Sequence, residues 1–119
     1  MEDNLIELLD SFGFPVFRQG SLAENEPYPP TFFTFWNNGE YALNSYDNRT
    51  KAVACDFDVN VYADDPAKVY ELLRQACALL KNNGYGIPDR GHDLASDVQT
   101  HTGRGMNVTY LQRLKESEV

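Results

Sequence analysis

Residues 52–62, AVACDFDVNVY, constrain this chain more than any other stretch. Phe57, Val59 and Val61 alternate with Asp56, Asp58, Asn60 and Tyr62. Successive side chains of a strand point to opposite faces, so one face here is apolar and the other wet. A strand with one wet face belongs in an antiparallel sheet. The period then changes. Asp65 is placed to cap a helix and Pro66 to fill its first position. Val69, Leu72, Leu73, Ala76, Leu79 and Leu80 follow at three- and four-residue spacing, which predicts a helix to about Lys81. Lys68, Glu71, Arg74, Gln75 and Lys81 take its water side, and Asn82-Asn83-Gly84 ends it.

The flanking segments are read around this unit. Leu5, Ile6, Leu8, Leu9 and Phe12 give residues 3–12 one apolar helical face, capped by Asp3 or Asn4 and stopped by Gly13 and Pro15. Val16-Phe17-Arg18 is read as extended, and the prolines of residues 20–30 exclude a helix there. Residues 31–37, TFFTFWN, are β-branched and aromatic, which predicts a strand with both faces at least partly covered. Asn37-Asn38-Gly39 reads as a turn, and residues 40–50 as a long loop or weak hairpin arm. Residues 93–99 and 106–114 alternate as the two arms of a hairpin about a turn at residues 100–105. Residues 115–119 read as a polar, frayed tail. The order α-β-β-α-β-β predicts an α+β fold: two helices packed on an antiparallel sheet, a two-layer sandwich. The halves share no repeat, and 119 residues suit one domain, residues 1–119.

Charge narrows the function. Ten Lys and Arg face eighteen Asp and Glu, a net charge of −8. Residues 1–50 hold eight acids against two arginines; residues 51–119 hold ten against eight bases. No basic stripe is present, so sequence-specific nucleic-acid binding and attraction to an anionic membrane are not expected. No apolar run approaches the ~18–20 residues of a membrane span. The acidic start reads as no targeting signal, and the expectation is that the chain works where it is made or in something assembled there.

No catalytic constellation emerges. Cys55 and Cys77 fit no zinc spacing and read as reduced thiols packed inside. No GxSxG elbow is present. His92, Asp93, Asp97 and His101 lie close in sequence, but adjacent strand residues diverge, and they read as exposed polars. Gly84, Gly86, Gly91, Gly103 and Gly105 read as turn glycines and not as a phosphate cradle. Asp56 and Asp58 share a face and read as a solvated or inter-subunit face rather than an acid–base pair. The expectation is no enzyme, metal or organic cofactor. Trp36, Tyr41, Tyr46 and Tyr62 fall on or beside wet faces, and Tyr and Trp are enriched at protein interfaces. Arg104, between two glycines at the expected hairpin tip, reads as a solvated turn residue or a protruding interface anchor.

Four segments carry a resemblance: TFFTFWN after Pro30, CDFDVNVYADDP, KVYELLRQACALLKNNGY, and GHDLASDVQTHTGRGMNVTYL. Together, over residues 29–114, the chain resembles the small tail-completion (tail terminator) proteins of long-tailed bacteriophages and prophages. The resemblance implies a virion protein made in the bacterial cytoplasm. It implies a hexameric ring of the chain with itself, set on the head-proximal end of the tail tube. Such a ring stops polymerisation of the tail tube protein and meets the head connector protein. Under it, Trp36, Tyr41, Tyr46, Tyr62, His101 and Arg104 become contacts with a subunit or the tube. The strand 31–37, the segment 40–50 or the turn 99–105 would supply a sheet edge or hairpin to the neighbour. Asp56 and Asp58, or the 20–30 loop, would line a channel through which DNA slides. The rival expectations are a head-completion or connector-adaptor protein and, further off, a small-ligand binder or enzyme.

Overall fold

A computed structural model of the chain describes residues 2–19, 29–44, 50–87, 91–94 and 101–113. Helix α1, Glu2–Asp10, is followed by three strands: β1 (Val16–Arg18), β2 (Thr31–Asn44) and β3 (Thr50–Ala63). Helix α2 covers Pro66–Asn82, and three further strands follow: β4 (Tyr85–Gly86), β5 (His92–Leu94) and β6 (Thr102–Arg113). The fold is mixed α+β, with two helices and a six-stranded sheet among the described residues.

Helix α2 forms as its sequence dictates. The Asp65 carboxylate accepts from the Ala67 N–H at 3.0 Å, and Pro66 sits in the first turn, where its missing N–H costs nothing. At the other end Asn83 donates from its side chain to the Leu79 carbonyl, and Gly84 takes a φ of +92°.

The sheet runs β1-β2-β3-β6-β4, with β5 also on β6. The pairs β2–β3 and β3–β6 are long and antiparallel; β1 runs parallel to β2, Val16 opposite Phe33. The sheet is thus not wholly antiparallel as expected. The segment between Pro15 and Arg18 is held by Phe33 donating to the Pro15 carbonyl and Gln19 donating to that of Phe35.

Two expected turns are strand. At Asn37–Gly39 the register slips against β3 but the strand continues to Asn44. The Gly39 N–H donates to the Asn37 side chain at 2.8 Å, with φ +130° at Gly39, so the turn chemistry makes a bulge. Residues 40–44, expected as loop or weak arm, therefore belong to β2. Likewise Thr102–Gly105 opens β6, with Tyr62 opposite Gly103 and Asn60 opposite Gly105. The expected partner of β6 is present as His92–Leu94, antiparallel to residues 103–105; residues 95–100 lie outside the described residues.

One core joins both helices to one side of the sheet. Leu5 and Leu9 of α1 and Leu72, Leu73, Ala76 and Leu80 of α2 meet Phe33, Phe35, Phe57, Val59, Val61, Met106 and Val108. The strand members of that set are alternate residues of β2, β3 and β6, as the pattern of residues 52–62 requires. The other side of the sheet, the outer face, is covered only at one end. There Phe32 is 2% exposed although it points away from the core, and Thr34 and Asn60 are buried. Both faces of residues 31–35 are thus covered, as expected.

Candidate functional site

The uncovered half of the outer face gathers Trp36, Tyr41, Asp56 and Asp58, four of the eight residues singled out in the sequence. The pairing places Trp36 beside Asp58 and Asn107, Gly39 beside Asp56 and Thr109, and Tyr41 beside Ala54 and Leu111. These side chains share one face because each register step of two residues returns to it. Trp36 is 46%, Tyr41 54% and Leu111 46% exposed. Three large apolar side chains so open on one face of the sheet mark a place for a partner more than scattered surface residues do.

The carboxylates sit among them. The Asn107 amide donates to Asp56 Oδ1 at 2.5 Å and to Asp58 Oδ1 at 3.2 Å, and Asn38 donates to Asp56 Oδ1 at 3.3 Å. Both carboxylates are half-buried, and among the described residues neither meets a cation. Two neutral amides hold two negative groups side by side. The pair shares a face as expected. Where a channel would run is a property of the assembly.

The remaining interface residues divide. Tyr62 is half-buried at the covered end, stacked on Phe32 with ring centroids 5.3 Å apart. His101 lies against the same Phe32 ring, and its Nε2 is 2.8 Å from the Pro29 carbonyl oxygen. Phe17 meets Phe32 edge-on, so this end is an aromatic cluster rather than an open surface. Tyr46 lies outside the described residues.

Arg104 is not a protruding turn residue. It pairs with Val61 inside β6, on the helix side of the sheet. Its guanidinium stacks over the Tyr70 ring at 4.5 Å, pairs with Asp93 at 2.8 Å and donates to the Gly91 carbonyl at 3.1 Å. It thereby ties β5 to α2. The flanking glycines are explained by close approach. An added Cβ at Gly103 would stand 2.5 Å from the Tyr62 ring, and one at Gly105 would collide with the Asn60 amide. Turn geometry was the wrong reason for both.

The nucleophile candidates read as structural. Cys55 is buried, and its thiol is pushed up by burial and by the nearby Glu40 carboxylate, which favours the protonated form. Cys77 is partly buried on α2. Tyr85 is buried, and its hydroxyl donates to Asn4 Oδ1 at 2.9 Å. Burial and the neighbouring Tyr110 push its phenol up to about 12. Among the described residues no three His, Cys, Asp or Glu side chains converge as a metal site. No helix among them is long and apolar enough to cross a membrane.

Leu111 and Asn107 are the members of this surface that sequence reasoning missed. Their alternation was visible, but their facing Ala54 and Asp58 depends on register with a strand some fifty residues away, which no local pattern encodes.

No protein-family model matches the chain, and no curated protein matches it.

Proposed function

We propose that this chain is a virion assembly protein, a two-layer sandwich that caps the head-proximal end of a phage tail tube as a ring, halts tube growth and joins tail to head. The observation that supports it is the state of the sheet edges. Beyond Phe35, β2 has no strand on the side away from β3 among the described residues. Beyond Tyr110, β6 likewise has none on its far side. Among the described residues, the half of the sheet away from β1 and β5 thus has an open β2 edge beyond Phe35 and, past the two-residue β4, an open β6 edge beyond Tyr110. Open edges expose unpaired backbone groups and invite pairing with another chain. Two different edges on opposite flanks join head to tail, the contact that closes into a ring when the rotation per subunit permits. Six copies, the tube protein and the head connector come to this reading from the resemblance of residues 29–114 to tail terminators.

The experiment is deletion of the gene in its parent phage or prophage, with electron microscopy of the particles. DNA-filled heads beside separate, overlong tails support the terminator role. Leaking heads beside tails of normal length move the protein to the head side of the joint. Normal infectious particles overturn both.

A further inference from the structure

We infer that the exposed half of the outer face, built on Trp36, Tyr41 and Leu111 around Asp56 and Asp58, docks a segment of another protein that is extended and carries arginine or lysine at alternate positions. The inference rests on the assembly reading for its setting, but not on ring formation.

Three observations carry it. The first is apolar exposure: the three large side chains stand about half open on one face of the sheet, a surface that gains by being covered. The second is charge. Asp56 and Asp58 are two residues apart on one strand face, about 6.5–7 Å along it, with amides and no described cation as partners. An extended segment repeats its side chains at the same interval, so alternate cations meet both carboxylates in register. Trp36, opposite Asp58, offers the ring over which a guanidinium stacks while it reaches that carboxylate.

The third observation weighs against a second copy as the occupant. The arginines whose side chains are described lie on the helix side and are engaged: Arg18 with Glu2, Arg74 with Glu71, Arg104 with Asp93. Glu2, Asp3, Glu7 and Asp10 of α1 make that side acidic as well. Lys68 lies over the Phe14 ring at 4.8 Å. Among the residues whose side chains are described, no surface supplies the alternating positive charge that the outer face calls for, and the complementary partner is a basic one.

Trp36 is the chain's single tryptophan and reports directly on this face. The test titrates the full chain with a capped peptide of alternating arginine and valine, reading Trp36 fluorescence, with the molecular mass followed by light scattering in the same samples. A peptide with glutamate for arginine is the control. The expected result is a saturable change with the arginine peptide only. In Asp56→Asn/Asp58→Asn, checked by circular dichroism to be folded, the affinity falls at least about tenfold. No saturable change overturns the inference, as does equal binding of the glutamate peptide or an unchanged affinity in the double variant. Shielding of Trp36 from acrylamide on self-association without peptide also overturns it and assigns the face to a second copy. Because mass and fluorescence are read separately, a chain that stays monomeric yet binds the peptide counts against the ring and for the docking face.

Discussion

Tyr85 shows how one buried polar group ties the fold to its conditions. Its phenol is held near 12 by burial and by Tyr110, against about 10 in an unfolded chain. Above pH 10 the unfolded state releases this proton while the folded state keeps it, so the unfolded state binds fewer protons and stability falls as pH rises toward 12. The loss between pH 10 and 12 is on the order of 2–3 kcal/mol. Urea midpoints measured across that window are expected to decline in the native chain. Tyr85→Phe is expected to be less stable at pH 7, since Asn4 loses its donor, but to show a shallower alkaline decline. Gly105 tests packing at the same scale. Gly105→Ala drives a methyl into the Asn60 amide, which donates to Thr34 Oγ1 at 3.2 Å, and into Leu94. It is expected to cost about 1–3 kcal/mol of unfolding free energy. Combined with Asn60→Ala, the two losses are expected to sum to more than the double variant shows, because the second substitution removes the obstacle the first meets. Neither effect is legible in the sequence. Gly103 and Gly105 look like punctuation until Tyr62 and Asn60 are placed opposite them.

Among elements, α2 and the wet-faced strand were legible because each carries its own signal: a cap, a proline and a 3.6-residue stripe in one, strict alternation in the other. The bulge at Asn37–Gly39 was not, because the same residues serve a turn or a bulge and only pairing with β3 decides. The length of β2 was hidden for the same reason: residues 40–44 are carried by β3 beside them rather than by their own propensity. The short strand β5, paired with β6, is also tied to α2 through one side chain. Arg104 reaches from β6 to Tyr70 of α2, Asp93 of β5 and the Gly91 carbonyl, and is itself largely shielded. Arg104→Ala is expected to destabilise the chain by about 1–3 kcal/mol and to raise hydrogen exchange first at residues 91–94. Arg104→Lys is expected to recover only part of that, because an ammonium does not reproduce the planar stack and fork of contacts. Asp93→Ala removes a partner that is itself well exposed and is expected to cost under about 1 kcal/mol. Equal losses for Arg104→Ala and Asp93→Ala would show the ion pair, not the Tyr70 stack, to be what holds the strand.

For the whole molecule, the question is why a chain with a net charge of −8 would assemble with itself at all. General repulsion between copies opposes contact, so any association must come from a specific, directional surface. The described sheet offers one: open β2 on one flank and open β6 on the other. Backbone pairing there carries no net charge and survives a like-charged background better than side-chain complementarity does. The prediction is that self-association strengthens with moderate salt, as screening relieves repulsion while the edge hydrogen bonds persist. Ala42 tests the edge directly. It lies on β2 opposite Val53, is exposed, and belongs to the stretch without an outer partner among the described residues. A lysine on an open edge blocks strand addition by stranding a charge at the new junction. Ala42→Lys is therefore expected to leave the thermal midpoint within about 1–2 °C, since an exposed substitution changes folding little. Where light scattering of the native chain in moderate salt shows an oligomer, the same variant is expected to show none. Peptide binding at Trp36 should persist in it, because the outer face stays intact. An Ala42→Lys chain that still forms the native oligomer would exclude this edge as the subunit junction.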